Sequence, residues 1–226
     1  MTIMDFNDLK EACKAACHER RACSESYRMM LLSNNVSEMM ATWRKYWEDI
    51  TEGKFSDIIM SRLPEYYPSL KTDMNAAGIY LNECPMSAQE FVKVIITTTT
   101  DTVHIYGYAQ AYVMGECKVV CHNHSRIQNK SYNATIELYD WSAGEIYGGK
   151  VVAYDQTRLR CACDAELNGN VECTAIGMKL KLTAYKKVYA YGDTQVYSQS
   201  AVNRNMVMGK EAILIISNNA DITGNE

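Results

Sequence analysis

From residue 103 onward, apolar and polar positions alternate in short runs, and the runs recur about every eight residues. Aligned on one branched or small apolar position, the recurrence reads Val103, Ala111, Val119, Ile127, Ile136, Gly144, Val151, Leu159, Leu167, Ala175, Val188 and Val196. The spacing stays between seven and nine, except for a gap of thirteen between Ala175 and Val188. So short and regular a period cannot build an ordinary globular core. It specifies strands stacked coil on coil, a β-solenoid.

Each unit has the form small-x-apolar-x-apolar-aromatic-Gly/Asp-x, as in Ala134-Thr-Ile136-Glu-Leu138-Tyr139-Asp140-Trp141. The first, third and fifth positions alternate and therefore face one way along a strand. They carry Ala109, Cys117, Ser125, Val113, Cys121, Leu138, Ile146, Ala153 and Cys161, mostly small residues suited to a narrow interior. The seventh position holds Gly107, Gly115, Asn123, Asp140, Gly148, Asp155 and Gly192, residue types that tolerate positive φ and mark a corner. Two such units make a flat coil and three a triangular one, and the spacing fits both. The outward positions are rich in tyrosine: Tyr106, Tyr112, Tyr139, Tyr147, Tyr154, Tyr189, Tyr191 and Tyr197. These can stack as ladders that protect the sheet, or serve as a partner-binding face, because tyrosine is a common interface anchor.

Before residue 79 the period changes to that of helices. Leu9, Cys13, Ala16, Cys17, Tyr27, Met30 and Leu31 form an apolar stripe that predicts a helix over 5–32 with Asp5 as N-cap. Ser37 opens a second helix that Gly53 stops. A third runs over 56–63 and ends at Pro64, and a fourth runs over 69–77 after Pro68. The organisation expected is α+β: a helical bundle over 1–78, a linker and cap strand over 79–100, a β-solenoid over 101–202, and a C-terminal cap strand and disordered tail over 203–226. The cap strand contains Ile213, Leu214, Ile215 and Ile216, whose exposed edge could pair two copies.

The chain has 226 residues and a net charge of -4. Residues 101–202 hold ten basic and ten acidic side chains, a balance unsuited to tracking a phosphate backbone. No apolar run approaches the length of a membrane helix. Residues 1–10 include Asp5 and Asp8 and no apolar h-region, so a secretory signal is not expected. The nine cysteines then read as reduced, buried side chains of a cytoplasmic protein.

The segments Val103-His-Ile-Tyr-Gly-Tyr-Ala109, Val151-Val-Ala-Tyr-Asp155 and Val188-Tyr-Ala-Tyr-Gly192 follow Asn82-Glu-Cys84-Pro85. Over residues 79–202 the chain resembles uncharacterised β-solenoid proteins of gut bacteria, their phages and their mobile elements. Those proteins carry tandem AxVxAYG or AxVxAYD units after a helical region and a Cys-Pro turn. The resemblance implies the fold and a mobile-element setting. Two stretches, 125–133 and 178–186, depart from the pattern.

Little chemistry is written in the motifs. Cys117-x3-Cys121-His122-x-His124 has zinc-like spacing, but the register points the cysteines inward and His122 outward. Glu137 and Glu145 form a candidate acid/base pair on adjacent strands for a carbohydrate-active enzyme, disfavoured because the corners are too short to build a cleft. Thr97 to Thr100 lack the coil-by-coil recurrence of an ice-binding rank. No cofactor or metal site is expected. The reading is a non-enzymatic module that binds another protein through its tyrosines. One version is a phage or mobile-element inhibitor that occludes a host enzyme or defence complex. The alternative is a self-associating structural module.

Overall fold

The computed structural model describes residues 5–19, 25–51, 59–60, 62–86, 91–177, 179–198 and 206–216. It has the expected α+β architecture: a group of helices followed by a parallel β-solenoid.

The helices are α1 (Phe6–Glu19), α2 (Glu25–Leu32), α3 (Val36–Lys45), α4 (Trp47–Thr51) and α5 (Leu63–Ala76). The N-cap of α3 is Asn35 rather than Ser37; its side chain accepts the backbone N–H of Glu38 at 2.9 Å. The two prolines expected to close one helix and open the next both lie in α5. Pro64 occupies the first turn, where a missing N–H costs nothing, and Pro68 lies inside the helix. The helix expected over 56–63 falls largely outside the described residues.

The strands divide into two sheets. In chain order they are β1 (Ile79–Leu81), β2 (Lys93–Ile96), β3 (Thr102–Ile105), β4 (Gln110–Val113), β5 (Lys118–Cys121), β6 (Arg126–Asn129), β7 (Thr135–Leu138), β8 (Ala143–Ile146) and β9 (Lys150–Asp155). Then come β10 (Arg158–Cys161), β11 (Asp164–Gly169), β12 (Glu172–Ile176), β13 (Lys179–Ala184), β14 (Lys187–Tyr191), β15 (Gln195–Ser198), β16 (Met206–Met208) and β17 (Ile213–Ile216). Sheet A runs β1-β2-β4-β6-β8-β10-β12-β14-β16 and sheet B runs β3-β5-β7-β9-β11-β13-β15-β17. From β2 onward, successive strands alternate between sheets, so each coil has two faces.

The register corrects the repeat alignment at one place. Val151 stands opposite Ala165, and Leu159 opposite Cys173, so these coils contain only fourteen residues. Leu167 and Ala175 therefore lie one inward position further along than the repeat suggests; Leu167 is opposite Ala153. A slip of two leaves them facing the core, whereas a slip of one would turn them outward. The gap of thirteen is then filled by Leu180 on β13, which stands opposite Ala165 and Val196. The other irregular stretch is also in register. It contains β6, and buried Asn129 at its end donates to the carbonyls of Ser131 and Gly148, at 3.1 and 2.8 Å.

One core fills the space between the sheets and runs from Val92 to Met206. Side chains at alternate positions enter it, and the coil corners contribute Ala109, Cys117, Ser125, Ser142 and Thr157. A second core joins the helices to the outer face of sheet A. Trp43, Met39, Met40, Leu63 and Met74 pack with Ile79, Leu81, Ile95 and Tyr112. The bundle thus sits on the first coils from one side. Lys93 lies beneath it, its ammonium 5.2 Å from the Trp47 ring centroid and donating to Gln110. Burial, reinforced by repulsion from Arg44, holds its pKa down to about 8.

Candidate binding site

The two kinds of corner differ. At the first four places where the chain leaves sheet B for sheet A, the sequences are Tyr106-Gly-Tyr-Ala109, His122-Asn-His-Ser125, Tyr139-Asp-Trp-Ser142 and Tyr154-Asp-Gln-Thr157. The second residue of each is left-handed: Gly107 at φ 63°, Asn123 at 58°, Asp140 at 58° and Asp155 at 53°. The first three donate their N–H to a side-chain acceptor on the next coil. Gly107 donates to Asn123 Oδ1 at 3.3 Å, Asn123 to Asp140 Oδ2 at 2.8 Å, and Asp140 to Asp155 Oδ2 at 3.2 Å. The early corners from sheet A to sheet B obey other rules, whereas the later Tyr191-Gly-Asp-Thr194, with Gly192 at φ 58°, repeats the first pattern. Gly115 does not have positive φ; a Cβ there would lie 2.0 Å from the Thr98 backbone nitrogen. In the pair Gly148-Gly149 it is Gly149 that is left-handed.

A residue in the left-handed region turns the chain so that its two neighbours project from the same edge on every coil. This builds two aromatic columns. The inner one runs Tyr106, His122, Tyr139, Tyr154, with centroid separations of 5.1, 5.8 and 4.6 Å and nearly parallel planes. His104 joins it from the face of sheet B, its Nδ1 3.3 Å from His122 Nε2. The outer column runs Phe91, Tyr108, His124, Trp141, at 5.7, 5.2 and 6.4 Å. Its members are exposed: Phe91 by 62%, Tyr108 by 46% and Trp141 by 57%.

The eight tyrosines expected to share a surface are distributed over several. Tyr106, Tyr139 and Tyr154 belong to the inner column and are half-buried. Tyr112 is on sheet A but is 1% exposed, because the helices cover it and Lys130 lies over its ring while donating to the Thr51 carbonyl. Tyr189 is on the open part of sheet A with Lys187 over its ring. Tyr197 is on sheet B, donating to Gln195 Oε1. Tyr147 is exposed just beyond β8, and Tyr191 is exposed at the last residue of β14. The outer column, which has the most exposed rings of the edge, was not among the expected residues. Its signal is an aromatic one place after the corner residue, recurring every sixteen or seventeen positions. It disappears when both kinds of corner are averaged into one eight-residue unit.

Beside the outer column lies a depression of about 370 Å³, lined by Phe91, Tyr108, His124, Trp141, Arg126 and Arg158 among others. It continues into a larger groove of about 800 Å³ over sheet A, closed at one end by Trp47, Glu48 and Thr51 of α4. The groove floor carries Arg126, Ala143, Arg158, Glu172 and Lys187 in one row, and Gln128, Glu145, Arg160, Thr174 and Tyr189 in the next. Glu172 is held by Lys186 at 2.8 Å and reached by Arg158 at 3.9 Å. Among the described residues, no carboxylate lies within ion-pairing distance of Arg126 or Arg160. Sheet B carries two ion pairs between neighbouring strands, Lys118–Glu137 at 2.8 Å and Lys181–Glu166 at 3.6 Å.

The considered acid/base pair is corrected by the topology. Glu137 is on β7 in sheet B and Glu145 on β8 in sheet A, so consecutive strands place the two carboxylates on opposite faces. The Lys118 ammonium, aided by the Tyr139 hydroxyl, holds the Glu137 carboxyl below its ordinary range. The cysteines of the zinc-like motif face inward as expected. Burial pushes Cys117 up to about 11, and pushes Cys121 and Cys163 up to about 12. Among the described residues, no group of three histidine, cysteine or carboxylate side chains is arranged to hold a metal ion. No helix among them is long and apolar enough to cross a membrane. Comparison with known protein families, with curated proteins and with solved structures found no match.

Proposed function

We propose that this protein is a non-enzymatic interaction module, and that it binds another protein along the outer aromatic column and the adjoining groove of sheet A. The observation that carries the reading is the exposed rank Phe91, Tyr108, His124 and Trp141 beside Arg126 and Arg158. Tryptophan, tyrosine and arginine on a rigid support are the side chains that dominate protein interfaces. The stacking also favours a protein over a sugar or a single-stranded nucleic acid. Those ligands use open ring faces, whereas Tyr108 and His124 at the centre of the column cover one another's faces and offer mainly their edges. In the cytoplasm, where the described cysteines would remain reduced thiols, such a module would act by occlusion. Inhibition of a host enzyme or defence complex in a mobile-element setting is one form of this.

The test replaces Tyr108, His124 and Trp141 together with serine and measures capture of the native partner. The expected result is loss of capture with a small change in thermal stability, because these side chains stand outside the core. Undiminished capture would overturn the reading. Tyr197→Ser on sheet B is the control and should have no effect.

Self-association through 213–216 is the second reading. It is supported by β17 pairing only with β15 among the described residues, and by Ile213 being 55% exposed.

A further inference from the structure

We infer that the depression between Arg126 and Arg158 is an anion site, and that it receives the carboxylates of an acidic segment of the bound protein. The inference rests on the interaction reading above and specifies the chemistry of its partner.

The argument begins with the spacing on sheet A. Arg126, Ala143 and Arg158 are register partners on β6, β8 and β10. The two arginines are thus two coils apart, roughly 10 Å at the usual strand spacing. The residue between them is alanine, so no side chain of length fills the gap. Both guanidinium groups can reach a group seated above Ala143. Trp141, His124 and Gln156 line the same depression and form its outer wall.

The charge is unspent. Arg126 has no carboxylate within ion-pairing distance among the described residues. Arg158 has only Glu172 at 3.9 Å, and that carboxylate already accepts the closer Lys186. Arg158 is exposed over 80% of its side chain. Arg160 projects from the same strand and face two residues on, and adds a third positive group, with no carboxylate in ion-pairing distance among the described residues. Elsewhere on the solenoid, Lys118 and Lys181 of sheet B are matched to glutamates across adjacent strands. Three arginines clustered beside an exposed tryptophan, two of them with no carboxylate in ion-pairing distance among the described residues, make a surface complementary to a negative ligand.

An acidic polypeptide fits better than the other anions. A forked guanidinium matches a carboxylate with two hydrogen bonds. The neighbouring ring edges offer apolar contact that inorganic phosphate cannot use. The floor also carries Glu145 and Glu172, which would repel a continuous polyanion along the groove. Side chains spaced along a peptide can avoid them.

The test uses the full chain at low ionic strength and, as probe, a sixteen-residue peptide whose glutamates are spaced by glycine and serine. Trp43 and Trp47 are buried and Trp141 is exposed, so acrylamide quenching of tryptophan fluorescence reports the depression. The expected results are protection of Trp141 by the peptide and at least tenfold weaker binding in the Arg126→Ala/Arg158→Ala protein. Lys179→Ala/Lys181→Ala on sheet B should bind as the parent does. Equal peptide binding by the arginine variant and the parent would overturn the inference. So would tighter binding of inorganic phosphate, polygalacturonate or single-stranded DNA through the same arginines. Partner capture that survives the two arginine substitutions but is lost with the aromatic triple substitution refutes the acidic segment and leaves the interaction reading standing.

Discussion

Substitution of Asp140 separates backbone conformation from hydrogen bonding at the corner that supports the aromatic columns. Asp140 stands between Tyr139 and Trp141 at φ 58°. Its Oδ2 accepts the Asn123 N–H at 2.8 Å, and its carbonyl accepts the Gln156 N–H at 2.9 Å. Asp140→Ala removes the side-chain acceptor. At this exposed corner water replaces it in part, so the loss is about 0.5–1 kcal/mol. Alanine must also adopt the left-handed region without the local stabilisation that Asp and Asn find there, at about 1 kcal/mol more. The total, about 1.5–2 kcal/mol, lowers the unfolding temperature by roughly 3–8 °C for a chain of this size. Asp140→Gly loses the same acceptor but not the conformation. After the entropy glycine adds to the unfolded chain, it should be about 0.5–1 kcal/mol better than alanine. Thermal unfolding followed by circular dichroism provides the comparison. A glycine variant equal to or less stable than the alanine variant would refute the assignment of a left-handed corner.

Two further outcomes follow from the sheet B ion pair and the buried thiols. Glu137 has a folded pKa below its unfolded value, so its contribution is present above the unfolded pKa and is lost as pH falls through the folded one. Glu137→Gln should therefore cost up to about 1 kcal/mol at neutral pH, as a partly exposed pair does, with the difference from the parent closing in acid; a difference that grows in acid would contradict the pairing with Lys118. Iodoacetamide should leave Cys117, Cys121, Cys161, Cys163 and Cys173 unmodified in the native protein and label them on unfolding, because burial denies the reagent access and, at Cys117, Cys121 and Cys163, also suppresses the thiolate. Rapid native labelling of Cys121 or Cys161, read by mass spectrometry, would place those side chains outside the core.

The sequence makes the solenoid legible because inward positions recur at a short period and corners need residues that tolerate positive φ. Val103, Val119, Ile136 and Val151 stand in one column as their spacing implies. The tightened coil between Val151 and Ala165 is not legible. A two-residue contraction preserves the alternation of apolar and polar positions, and Leu167 is as buried in the shifted register as in the regular one. The number of faces is open at the level of the repeat. It is settled by the pairing of Ala111 with Ile127 and of Val103 with Val119, each sixteen residues apart. Once the coil has two faces, the eight-residue unit is seen to merge two unlike corners, and this conceals the recurrence of Tyr108, His124 and Trp141. Tyr112 fits the pattern of an outward tyrosine and does face outward from sheet A. Its burial comes from the helical bundle, a long-range contact that no local period encodes.

The claim that a partner lies along the outer aromatic column is tested most directly by a photo-crosslinking residue introduced at Gln156. This exposed position lies one coil beyond Trp141 and lines the same depression. The same group at Lys179 on sheet B is the comparison. Irradiation in an extract of the cells that naturally make the protein should yield a discrete protein adduct from position 156 and none from position 179. An adduct formed from position 179 alone, or equally from both, would contradict the account.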